Sequence, residues 1–133
     1  MIRTASLASV VADLHRHSST VYAALRVNGR TGQSDCVSVA ACDDATPDVK
    51  DAIHFWQLDD LRAGDLHPAV RRAHAHLLQH GWRDVELRRD GETSQCWARH
   101  PHEPYAVHLL TLGHLRRLAV SVSTAPFRVE PLP

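Results

Sequence analysis

The sequence predicts an α+β fold, with amphipathic helices packed on one face of an antiparallel β-meander sheet. Three observations carry that prediction. Leu66, Val70, Ala73 and Leu77 recur at steps of four, three and four, which places them on one stripe of a helix. Beyond Gly81-Trp82 the period changes to two, with Val85 and Leu87 alternating with Asp84, Glu86 and Arg88. Near the C-terminus Leu118, Val120 and Val122 alternate with Ala119, Ser121 and Ser123. The helix stripe and the apolar strand faces can each leave water only by covering the other.

In order along the chain, residues 5–17 carry Leu7, Val10, Val11 and Leu14 at helical spacing and read as a first helix closed by Ser18-Ser19-Thr20. Residues 21–27 are a strand candidate, with Asn28-Gly29 as turn, Gly32 extending the loop and residues 36–40 as the returning strand. The alternative runs the first helix on to Arg26, which Tyr22 and Leu25 permit. Residues 43–47 read as a loop. Residues 48–56 read as a second helix, with Val49, Ala52, Ile53 and Trp56 on one side and Leu58 and Leu61 continuing it until Gly64. The main helix spans residues 66–80, capped by Asp65, tolerant of Pro68 in its first turn and ended by Gly81. The meander then uses Asp90-Gly91 as one turn, Cys96-Trp97-Ala98 as a return strand, and Pro101 and Pro104 around a kinked connection. Residues 105–112 and 115–124 form its last two strands, joined at Gly113-His114 by a two-residue turn. Residues 1–127 make one domain and residues 128–133 a tail.

A chain of 133 residues can bury a core without metal or disulfide staples. Its formal charge is zero, so no overall field recruits nucleic acid or an anionic membrane. Three arginine pairs, Arg71-Arg72, Arg88-Arg89 and Arg116-Arg117, lack the interleaved aromatics of a nucleic-acid surface. There is no apolar run long enough to span a bilayer, and the odd count of three cysteines favours free thiols in the cytoplasm. Arginine outnumbers lysine fourteen to one, a GC-rich coding bias that also weakens arguments from the eleven histidines.

The expected role is that of a small non-catalytic binding or accessory protein, an inhibitor or immunity-type partner of another protein, acting as monomer or homodimer. The acidic stretch over residues 43–65, with seven Asp against Lys50 and Arg62, suits a basic partner. Asp59, Asp60 and Asp65, beside the aromatic pair Phe55-Trp56, are the residues offered for that contact. On this reading there are no catalytic residues and no cofactor. The alternative is a histidine-dependent metal-binding protein or enzyme holding zinc or nickel. His76 and His80 are four apart on the main helix, the spacing that lets two imidazoles share one ion, and His100 and His102 flank Pro101. The glutamate of an HExxH helix is absent, because Leu77 follows His76. Cys96 lacks a base within reach along its strand, and burial is the expected state of its thiol. Ser18, Asp35 and His17 can be assembled into a triad on paper, as residues of many chains can.

The segment Leu77-Leu78-Gln79-His80-Gly81-Trp82, followed by the meander and by Leu118-Ala119-Val120-Ser121-Val122-Ser123-Thr124-Ala125-Pro126, resembles the small actinobacterial lipoprotein-type α+β domains of unknown function. The resemblance covers about half of the chain. It implies a helix-on-sheet fold and a non-catalytic binding or accessory role, and carries over no catalytic residue. Phe127 stands where such proteins often have a cysteine, which leaves Cys36 without the partner that the resemblance implies. The chain also lacks a lipobox, as a cytoplasmic version would.

Overall fold

Ser6 opens the first helix: its backbone is extended and its hydroxyl accepts the Ser9 amide at 3.1 Å. In the computed structural model, which describes residues 2–31 and 35–131, this helix, α1 (Leu7–Leu25), follows a short strand β1 (Arg3–Ala5). The longer helix of the two readings is therefore the one formed, and the strand expected over residues 21–27 is not. Ser18-Ser19-Thr20 fails to stop it because the polar groups find partners within the fold. The Thr20 hydroxyl donates to the Arg16 carbonyl at 3.1 Å and the Ser18 hydroxyl is bonded to His54. Val10, Leu14, His17, Ser18, Val21 and Leu25 form one buried stripe. The helix ends at Arg26, in the left-handed region at φ 52°, and Arg72 donates to the freed Leu25 carbonyl at 2.7 Å.

The sheet is built around β4 (Val49–Asp59), the segment expected to be helical over residues 48–56 and to continue through Leu58 and Leu61. Val49, Ala52, Ile53 and Trp56 satisfy a helical period by coincidence. In the fold Ala52, His54, Trp56 and Leu58 are buried at period two while Ile53 is exposed. A histidine at an inward position hides the alternation. β2 (Arg30–Thr31) and β3 (Cys36–Ala41) pair antiparallel with one edge of β4, so the early segment joins the main sheet rather than forming its own hairpin. Gly32, expected to extend the loop, lies outside the described residues.

Helix α2 (Ala63–Gln79) begins three residues before the expected start; Arg62 takes the capping position without a side-chain cap, and Asp65 lies inside the first turn. Its end is as the sequence predicts: Gly81 has φ 76° and the Trp82 amide reaches the Leu77 carbonyl at 3.0 Å. The meander β5 (Arg83–Asp90), β6 (Thr93–Arg99), β7 (Tyr105–Leu112) and β8 (Arg117–Thr124) follows, and β8 closes against β4. The last turn is longer than the two residues expected, a 3-10 turn over Gly113–Leu115 with Arg116 at φ 49°. Residues 128 and 129 are not a tail. They belong to β9 (Phe127–Val129), which pairs with β4 and, in parallel, with β1, and the Glu130 amide donates to the Ala5 carbonyl at 2.8 Å. Phe127 is fully buried, which a free tail could not provide.

Both helices pack on the sheet, and Leu14, Val70, Leu77, Leu109, Leu118 and Phe127 belong to one buried cluster. The fold is thus α+β, two helices on a mixed, mostly antiparallel sheet. Among the described residues no helix is long and apolar enough to cross a membrane.

Candidate metal centre

His17 lies on the buried stripe of α1, three residues after Leu14 and four before Val21, so the helix period aims its ring at the sheet. Beneath it the chain turns from β6 into β7 through residues 100–104. The His100 amide donates to the Tyr105 carbonyl at 2.9 Å, and the Tyr105 amide to the Glu103 carbonyl at 2.8 Å. Inside this turn His100 Nδ1 accepts the amides of His102, at 3.2 Å, and Glu103, at 2.9 Å. The two prolines keep their own missing amides out of this network. The result brings three ligand-type side chains together. His17 Nε2 lies 3.6 Å from Glu103 Oε1, His100 Nε2 lies 3.5 Å from Glu103 Oε2, and ligand atoms of the three residues fall within 4.8 Å of one another.

The electrostatics leave His17 neutral and Glu103 ionised at neutral pH. Burial, reinforced by the Arg16 charge, holds His17 below the ordinary histidine value. Its Nε2 is buried and has no hydrogen-bond partner among the described residues. Burial pulls Glu103 upward, but the Arg16 hydrogen bond at 2.7 Å and the Arg16 charge outweigh it and hold the carboxyl below its usual range. Arg16 is steadied in turn by Asp13 at 3.3 Å, and Asp13 accepts the Tyr105 hydroxyl at 2.9 Å. Aromatic rings wall the site: Trp82 lies 5.6 Å from His17 and 5.0 Å from His100, and Tyr105 lies 5.0 Å from His17.

The donor set suits a divalent transition ion. Two imidazoles and a carboxylate are the ligands of an open zinc site, where bonds of about 2.0–2.1 Å put ligand atoms roughly 3.3 Å apart. The 3.5 and 3.6 Å separations are close to that edge. An orphaned buried imidazole nitrogen is what an ion would satisfy. His100 needs one adjustment. Because its Nδ1 accepts two amides, the neutral ring carries its proton on Nε2. An ion at Nε2 requires that proton to shift to Nδ1, at the expense of the two amide bonds. At about 0.5–1.5 kcal/mol each, they weaken binding by about one to two decades relative to a site already in ligand form.

The expectation of no cofactor is therefore corrected by the His17–His100–Glu103 group. The expected ligand set of His76, His80, His100 and His102 is not brought together. His76 and His80 rings are 4.0 Å apart, but His76 lines the groove between the helices with Thr20, Ala23 and Arg72. His80 Nδ1 donates to the His76 carbonyl at 2.8 Å. His102 contributes its amide to the turn, and its ring lies 6.3 Å from that of His100. The spacing of four gave adjacency on the helix without a third ligand. His17 was not read as a metal ligand because the helix was expected to close beside it, and Glu103 was not because the α1 histidine it meets lies 86 positions away in sequence.

The residues offered for partner contact are dispersed. Asp59 accepts Arg117 Nε at 2.6 Å, Asp60 pairs with Arg30 at 3.0 Å on the surface, and Asp65 sits in the first turn of α2. Phe55 and Trp56 point to opposite faces of β4, Phe55 half-buried and Trp56 in the core. Ser18 and Asp35 do converge, on His54 rather than His17. No family model, no curated protein and no solved structure matches this chain.

Proposed function

We propose that this chain is a small histidine-dependent metal protein that binds one divalent transition ion, zinc best, through His17, Glu103 and His100, with water in the remaining position. The observation that carries the reading is the buried Nε2 of His17, which has no hydrogen-bond partner among the described residues and faces the Glu103 carboxylate. A water held by the ion would be acidified and available for attack on a substrate or for replacement by a ligand. An accessory role through the acidic segment has less support, since Asp59 and Asp60 are already paired internally. Free Cys36, Cys42 and Cys96 support a reducing compartment.

The test is zinc titration of metal-free protein at neutral pH, with metal content measured after gel filtration. One zinc per chain is expected, lost in Glu103→Gln and retained in His80→Ala. Absence of stoichiometric zinc, or full retention in Glu103→Gln, contradicts the reading.

A further inference from the structure

We propose that Ser18, His54 and Asp35 form a second, metal-independent site, a nucleophilic serine relay that takes a short-chain ester. The inference rests on different residues from the zinc centre and does not depend on it.

His17 and Ser18 are consecutive on α1, so about 100° of helical rotation separates them. His17 reaches the β6–β7 turn, whereas Ser18 reaches β4. There the Ser18 hydroxyl lies 2.6 Å from His54 Nδ1, and His54 Nε2 lies 2.7 Å from Asp35 Oδ1. The register of β3 on β4, which pairs Cys36 with Phe55 and Val37 with His54, fixes Asp35 at the end of the strand beside the ring. An ionised carboxylate only accepts, so Nε2 of the neutral ring must carry the proton, and Nδ1 then presents its lone pair to the Ser18 hydroxyl. This is the order of a hydrolytic triad with the two ring nitrogens interchanged: nucleophile, base, orienting carboxylate. Ser18 and His54 are both 4% exposed, and Asp35 is half-exposed at the rim.

The three side chains line a cavity of about 220 Å³ together with His15, Tyr22 and Trp56. The His15 ring lies tilted by 54° with its centroid 4.4 Å from that of His54, and Tyr22 lies edge-on at 5.9 Å from Trp56. The Trp56 ring forms part of this wall, and its indole N–H is buried with no acceptor among the described residues. The volume admits a short acyl group, and the tyrosine and tryptophan rings favour an uncharged one. In the reaction, Ser18 Oγ forms a bond to the acyl carbon while its proton passes to His54 Nδ1. The ester C–O bond then breaks, the departing alcohol takes that proton, and acyl-Ser18 remains. Water attacks the acyl carbon through the same base, the carboxylic acid leaves and the serine hydroxyl is restored.

The experiment uses the full chain in the presence of a chelator, with 4-nitrophenyl acetate as substrate and a fluorophosphonate as serine-directed label. One adduct per chain, mapped to Ser18, is expected. Hydrolysis should fall on the order of 100-fold in Ser18→Ala, to the background given by free imidazole. Asp35→Asn alters only a half-exposed carboxylate, so it keeps the fold and should lose rate to a similar extent. Labelling at another residue, no labelling, or an unchanged rate in folded Ser18→Ala or Asp35→Asn overturns the proposal.

Discussion

Replacing His17 by leucine should make the metal-free protein more stable and the zinc-loaded protein relatively less so. The His17 side chain is buried and its Nε2 has no partner among the described residues. Burying such an atom costs about 1–3 kcal/mol, which leucine, close in volume and a better helix former, does not incur. Leucine also forgoes the edge-on contact of the ring with Trp82, which offsets about 0.5–1.5 kcal/mol. The net gain is about 1 kcal/mol, or roughly 3–5 °C in Tm for a chain of this size. With zinc at a hundred times its Kd, the wild type gains about 2.7 kcal/mol and His17→Leu gains none, so their order reverses. The pH dependence follows. The folded value of His17 lies below 6.5, so its contribution is complete above that pH and is lost as pH falls through the folded value. His67, His76 and His108, also held low by burial, act in the same sense, so His17→Leu should reduce this acid loss without abolishing it. Urea denaturation with and without zinc measures all of this. A His17→Leu protein that is less stable without metal, or equally stabilised by zinc, would refute the reasoning.

Phe127→Ala should cost about 3–5 kcal/mol in chemical denaturation, because the ring is fully buried where β9 meets β4; a loss under 1 kcal/mol would return the segment to a tail. At Gly29 an added Cβ would meet Leu61 Cδ2 at 2.7 Å and the Asp59 carbonyl at 3.2 Å, so Gly29→Ala should lower stability by about 1–3 kcal/mol in the same assay. Exposed Cys36 should react quickly with a disulfide reagent in the native protein, and exposed Cys42, its thiol held up by desolvation and by Asp51, more slowly. Cys96, buried with its thiol pushed up to about 11, should react only on unfolding, which a timed thiol count resolves.

What the sequence made legible was local periodicity. The α2 stripe, the left-handed Gly81 and the alternation of β8 need no distant residue to be read. It was least legible where a polar side chain occupies an inward position. Ser18 inside α1 and His54 inside β4 each break an apolar pattern, and each is satisfied by the other across 36 positions of sequence. The pair disguised one long helix and the central strand together. β9 was missed for a different reason: only three residues long, it is stabilised by pairing with β1 and β4 rather than by its own composition. The metal centre follows the same logic. Spacing along a helix drew attention to His76 and His80, while the ligands that meet come from α1 and a turn that only the fold brings beneath it.

The most direct test of the centre is an amide NMR titration with zinc. If the ion binds His17, Glu103 and His100, the spectrum should saturate at one zinc per chain. The largest shifts should then fall at the amides of His102 and Glu103, which lose their acceptor as the His100 proton moves to Nδ1. An unchanged spectrum, or shifts centred on His76 and His80, would contradict the account.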